Sequence, residues 1–92
     1  MQTLEYQNIE KEIISSLNFK NNIHVEQHPD LDKQIQQATV LGNVYKSKVS
    51  IYFYDDVGLK RVQTTIWAAG NKYICLKGGV WIPISRIVEI KY

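Results

Sequence analysis

The chain has little of what marks the specialised protein classes. Among its 92 residues are one Cys, one Met and two Pro. A lone cysteine, Cys75, excludes an intramolecular disulfide and fits a reducing compartment. No run approaches the roughly 18–20 apolar residues that a bilayer span needs. The opening MQTLEYQNIEKE also lacks a basic segment leading into an apolar one. These absences point to a cytoplasmic protein with no membrane partner.

The signatures of chemistry are missing too. His24 and His28 are four apart, but Pro29 follows at once, the segment has no helical period and no third ligand accompanies them, so no metal site is expected. Ser15, Ser16 and Ser85 have no base or oxyanion context. Gly78-Gly79 lacks the spacing and the following helix of a phosphate loop. Asp55-Asp56, close to Gly58, are turn formers rather than an acid–base pair. The sequence therefore predicts no enzyme, no cofactor and no small-molecule substrate.

What is present is the composition of a folded domain, 45 % apolar and 22 % charged, which argues against disorder. The length allows one domain over residues 1–92, divided into a helical arm (1–42) and a β-rich half (43–92). Charge is uneven between them. The arm has three Lys against six acids, net −3, and the second half eight Lys or Arg against three acids, net +5. Two accounts fit this split: an arm packed on the half it complements, or a basic surface awaiting an anionic partner.

Periodicity supplies the elements. Tyr6, Ile9, Ile13 and Leu17 recur at helical spacing, with Ile14 beside the stripe, Thr3 as a cap and Asn18 as a stop, so residues 3–17 read as a helix. A second helix is expected from Asp30 to Leu41, with Asp30 as its cap, Leu31, Ile35, Ala38 and Leu41 inward, and Gly42 at C′. From Lys48 onward the pattern shortens to period two. Val49, Ile51 and Phe53 share a face, as do Val62, Thr64, Ile66 and Ala68, then Ile74 and Leu76, Ile82 and Ile84, and Val88 and Ile90. Asp55–Gly58, Gly70-Asn71 and Gly78-Gly79 supply turns, Gly58 being free to take positive φ. Pro83 restricts its strand to an edge or an irregularity. The expected fold is α+β: two N-terminal helices and a bent, four- to five-stranded antiparallel small barrel, SH3-like or Sm-like.

If the alternation persists, the opposite sheet face gathers Tyr52, Tyr54, Arg61, Gln63, Trp67, Tyr73, Lys77 and Trp81. Flat rings interleaved with cations suit stacking on bases and neutralising phosphates. The same rings also suit a platform on which two amphipathic helices pack, or cross-strand pairs that need no ligand. A non-catalytic interaction module follows as the first expectation, meeting a protein partner or its own copy through this face or through the Ile9/Ile13/Leu17 stripe. A single-stranded nucleic-acid-binding barrel is the alternative.

The phrases VSIYFYDDVG, WAAG, YICLKGG and IPISRIVEI, preceded by the helix at Asp30–Leu41, resemble the small barrels of the Sm-like and Rof types over roughly residues 30–90. The Rof type comprises small inhibitors of the terminator Rho. The resemblance implies the barrel fold and a short acid-led helix before it. Rof-type proteins are acidic where they meet Rho, whereas this half carries +5, so the resemblance carries fold rather than Rho inhibition. An Sm-like relation would imply RNA binding in a ring, and no stretch here matches an Sm uridine-binding motif.

Overall fold

The computed structural model describes residues 5–92 and has one α-helix, two 3₁₀ turns and seven strands. In chain order these are β1 (Gln7–Ile9), a 3₁₀ turn (Lys11–Ser16), α1 (Leu31–Tyr45), β2 (Val49–Tyr54), β3 (Leu59–Thr64), β4 (Ile66–Ala69), β5 (Tyr73–Leu76), β6 (Val80–Pro83), a second 3₁₀ turn (Ile84–Arg86) and β7 (Ile87–Lys91). They form two sheets, ordered β1-β3-β2-β7 and β4-β5-β6. The expected closed barrel is not formed. Alternation fixes which side chains point inward, but not where a ladder ends. The β3 ladder stops at Thr64, and the Thr65 carbonyl accepts the Lys77 N–H, so the chain leaves one sheet for the other at this residue. It returns through the 3₁₀ turn at Ile84–Arg86.

The expectation of two N-terminal helices is also corrected. Residues 3 and 4 lie outside the described part. Gln7–Ile9 instead pairs in parallel with Lys60–Val62, and Lys11–Ser16 makes only a 3₁₀ turn. Two physical reasons account for this. Ile9, Ile13 and Ile14 are β-branched, and Ser15 and Ser16 turn their hydroxyls back onto the Glu12 and Ile13 carbonyls. Pairing with β3 also gives this segment's backbone hydrogen-bond partners, whereas a short helix without a packed face is marginally stable. As a result Ile14 is the residue driven into the core, while Ile13 is 45 % exposed.

The second helix runs past its expected end. Gly42 is not its terminus but a buried interior residue, and Lys46 closes the helix in the left-handed region at φ 57°. A Cβ at Gly42 would lie 2.3 Å from the Ile66 carbonyl oxygen, so glycine is needed for α1 to approach β4. Asp30 occupies the N-cap position without a side-chain bond to the helix. The tight turn that uses positive φ is Gly78-Gly79, at 93° and 81°, rather than Gly58. In β7 the register slips opposite Tyr52/Phe53, so Ile87 and Ile90 are the inward pair in place of Val88 and Ile90. Pro83 does sit on an edge strand, since β6 ends its sheet.

A single apolar cluster joins both sheets and the arm. Ile14, Leu31, Ile35 and Ala38 pack with Ile51, Phe53 and Val62 of one sheet and Ile66, Ile74 and Ile82 of the other. The two inner faces share this core, so the two outer faces look away from each other.

Candidate functional site

That arrangement divides the eight residues expected on one face. Tyr52, Tyr54, Arg61 and Gln63 belong to the β1-β3-β2-β7 sheet; Trp67, Tyr73 and Trp81 to β4-β5-β6; and Lys77 directly follows β5.

On the first sheet the aromatic and cationic groups are engaged with one another. Tyr6 meets Tyr52 edge to face at 5.3 Å between centroids. The Arg61 guanidinium lies 6.0 Å and the Lys91 ammonium 5.6 Å from the centre of the same ring. Arg61 also donates to Asn8 Oδ1 and Ser50 Oγ, both at 2.9 Å, and Lys91 pairs with Glu89 at 3.4 Å. Such a cluster braces β1 against β3 and β2. It leaves little unengaged charge for a ligand.

The second sheet is different. Trp67 is 48 %, Tyr73 48 % and Trp81 54 % exposed. Tyr73 and Trp81 meet edge to face at 6.4 Å, which fixes both rings while leaving much of their surface in water. Cys75 is cross-strand from Trp81 on the same row, and its other neighbour is Ala68. Trp67 sits at the irregularity between Ile66 and Ala68, with its carbonyl accepting from the Asn43 side chain. The arm does not cover these rings, so they are not the buried platform that the sequence also allowed.

Charge sharpens the contrast. Val57 to Val88 contains no Asp or Glu. Of the cations in the second half, Lys60 pairs with Asp55, Arg86 with Asp56 and Lys91 with Glu89. The arm packs on the basic half through apolar contacts, and among the described residues no ion pair joins the two. Lys72 and Lys77, at the two ends of β5, are exposed and without an ion-pair partner among the described residues.

Beside Trp81 lies a cleft of about 430 Å³, lined by Phe19, Asn21, Asn22 and Ile23 on one side and Tyr73, Trp81, Pro83 and Ser85 on the other, with Arg86. Arg86 is the feature that periodicity missed. It is 5 % exposed, donates to the Tyr54 and Asn21 carbonyls and pairs with Asp56 at 2.8 Å. Asp56 in turn accepts the N–H groups of Lys20 and Asn21 at 3.0 and 3.1 Å. This knot holds residues 18–23 as one wall of the cleft. Asp55 plays a separate part, closing its turn by accepting from the Val57 and Gly58 N–H groups and from buried Lys60. Burial raises both carboxyl pKa values, but hydrogen bonds outweigh it. Asp55 is held below its ordinary value of 3.8 by Gly58, Val57 and Lys60, and Asp56 by Arg86, Lys20 and Asn21. The signal available in the sequence was an Asp-Asp pair at one turn and an Arg inside the apolar run IPISRIVEI.

Among the described residues no group of three or more His, Cys, Asp or Glu converges to hold a metal, and no helix is long and apolar enough to cross a membrane. Comparisons with protein-family models, curated proteins and solved structures return no match, which leaves the resemblance to Rof-type proteins neither supported nor opposed.

Proposed function

We propose that the protein is a non-catalytic interaction module that binds an anionic macromolecule on the outer face of the β4-β5-β6 sheet. The observation that supports this most is the coincidence of half-exposed Tyr73 and Trp81 with Lys72 and Lys77, which have no ion-pair partner among the described residues, in a stretch free of acids. Exposed aromatic surface of this kind has no role in the core. A basic surround without carboxylates favours a negatively charged occupant. The first sheet carries similar residue types, but they are already spent on one another. The Ile9/Ile13/Leu17 stripe is not a helix face and drops out as an assembly surface.

Heparin chromatography with a salt gradient tests the reading. The wild-type protein is expected to elute later than a Lys72→Glu/Lys77→Glu variant. A Lys46→Glu/Lys48→Glu variant has the same net charge but changes the connection between α1 and β2 instead of this sheet's own residues, and should elute between them. Trp81→Ala, with charge unchanged, should also elute earlier than wild type. If the two double variants elute together, retention follows net charge alone and the face has no special role.

A further inference from the structure

Resting on that reading, we infer that the anionic occupant is a single-stranded nucleic acid, with a base seated in the cleft beside Trp81 and its phosphates running past Lys72 and Lys77. Three observations separate this occupant from an acidic peptide. First, the cleft offers no free cation to a carboxylate. Among the described residues Arg86 is the only charged one lining it, and its guanidinium is already held by Asp56 and the Tyr54 and Asn21 carbonyls. Second, the groups that do open onto the cleft are of mixed donor and acceptor character. The Asn22 amide and Ser85 hydroxyl have no hydrogen-bond partner among the described residues, and neither has the Trp81 indole N–H. An amide can pair with the edge of a base as donor and acceptor together, whereas a carboxylate uses only its donor side. Third, aromatic side chains line the cleft: Tyr73 and Trp81, edge to face with each other, share it with a loop carrying Phe19 and Ile23, and its volume of about 430 Å³ has room for a planar ring against one of those faces.

The free lysines lie outside the slot, where a backbone would pass. Lys72 lines the adjoining cleft, which shares Tyr73, Pro83 and Ser85 with the first. Lys77 lies at the other end of β5, five residues and about 17 Å further at the usual rise per residue. Stacking groups at the centre and point charges at the rim are the division of labour that single-strand binding uses.

The test is fluorescence anisotropy with two dye-labelled probes, a short oligouridylate and polyglutamate, at a series of salt concentrations. The oligouridylate is expected to bind and polyglutamate to bind more weakly. Trp81→Ala and Tyr73→Ala should each weaken oligouridylate binding on the order of tenfold, and Asn22→Ala should weaken it less. Lys72→Ala/Lys77→Ala should flatten the slope of log affinity against log salt by about 1.4, two single-strand phosphate contacts. Circular dichroism and the native Cys75 thiol keep the variants interpretable. Alkylation of Cys75, cross-strand from Trp81, should slow when oligouridylate is bound. Polyglutamate binding that depends on Trp81, with no oligouridylate binding, overturns the nucleic-acid inference and leaves the anionic-partner reading standing. Oligouridylate binding that is indifferent to Trp81, Tyr73 and Asn22 and leaves Cys75 equally reactive overturns the placement in the cleft. Failure of both probes, together with failure on heparin, removes both proposals.

Discussion

On the outer face of the β1-β3-β2-β7 sheet, Tyr52 has Tyr6 against it and two cations near its ring, and those cations have partners of their own. On the outer face of β4-β5-β6, Tyr73 and Trp81 meet each other, and the nearby lysines meet nothing charged among the described residues. Both faces arise from the same rule, outward side chains alternating with inward ones. The difference lies in what each sheet has beside it. The first gains β1 and the C-terminal Lys91 row, so its rings and charges are used to hold an extra strand. The second is flanked by α1 along β4 and by the Lys11–Ser16 turn against β6, and its Tyr73 and Trp81 stay about half exposed. Residue type alone therefore does not mark a binding surface; the residues left without an internal partner do.

The largest expected effect falls at the β2–β3 hairpin tip of the first sheet. Asp55→Ala removes three hydrogen bonds and leaves the Lys60 ammonium, 6 % exposed, without its partner. Breaking a buried pair from one side costs about 3–5 kcal/mol, a large part of the stability of a small domain. Urea denaturation should show it, and a loss under about 1 kcal/mol would mean that Lys60 finds water in the native state. The same carboxyl sets an acid limit. Its folded pKa lies below the ordinary 3.8, so its contribution is complete above that value and is lost as pH falls through the lower folded one. Asp56 acts in the same direction. The melting temperature should be flat from neutral pH down to about 4.5 and fall below it, with a shallower fall in Asp55→Asn.

Next in size is the seam between α1 and the open sheet. Gly42→Ala adds a methyl group 2.3 Å from a backbone oxygen of Ile66 that cannot move aside alone. On an exposed helix this change would stabilise by about 1 kcal/mol. Here overpacking should reverse the sign and cost about 2–3 kcal/mol. Since α1 lies along β4, the damage should also reach the aromatic face, visible as faster Cys75 alkylation. A more stable Gly42→Ala protein would show that the helix can slide.

A smaller effect separates neighbours on the arm. Ile14→Val trims one methylene from a residue 2 % exposed and should cost about 1 kcal/mol, whereas Ile13→Val, at 45 % exposure, should change stability by less than about 0.5. Equal losses would restore the amphipathic stripe that put Ile13 inward.

How much of this was legible in the sequence depended on whether a local pattern could decide it. Val49, Ile51, Phe53, Ile74, Leu76 and Ile82 are inward as their period-two spacing required, because one residue of register slip would expose a whole row. The turns at Asp55–Gly58 and Gly78-Gly79 were readable from their residues. The N-terminal strand was not: Tyr6, Ile9 and Ile13 satisfy a helical period by coincidence, and the deciding partner, β3, lies some fifty residues further on. Gly42 has the look of a helix stop, and only the position of Ile66 reveals it as a contact. The candidate face was half legible for the same reason. Its residues were identifiable as outward-pointing, but the change of sheet at Thr65 that separates Tyr52 and Arg61 from Tyr73 and Trp81 is a tertiary event.

The subtlest expectation compares the two faces directly, by deleting one ring from each. Tyr52→Ala removes the ring shared by Tyr6, Arg61 and Lys91, and should cost about 1–2 kcal/mol of stability, since β1 loses part of its hold. Trp81→Ala removes a larger ring, but one that is 54 % exposed and touches Tyr73 at its edge, so stability should fall by less than about 1 kcal/mol. The smaller side chain should therefore be the more costly to lose, which inverts the order that size alone predicts. Paired urea midpoints decide it. If Trp81→Ala proves the more destabilising, its ring belongs to the fold, and the open face is closed by contacts of its own. If Tyr52→Ala is costly and Trp81→Ala nearly silent, the energy that Trp81 can contribute is available to a ligand rather than already committed to the native state.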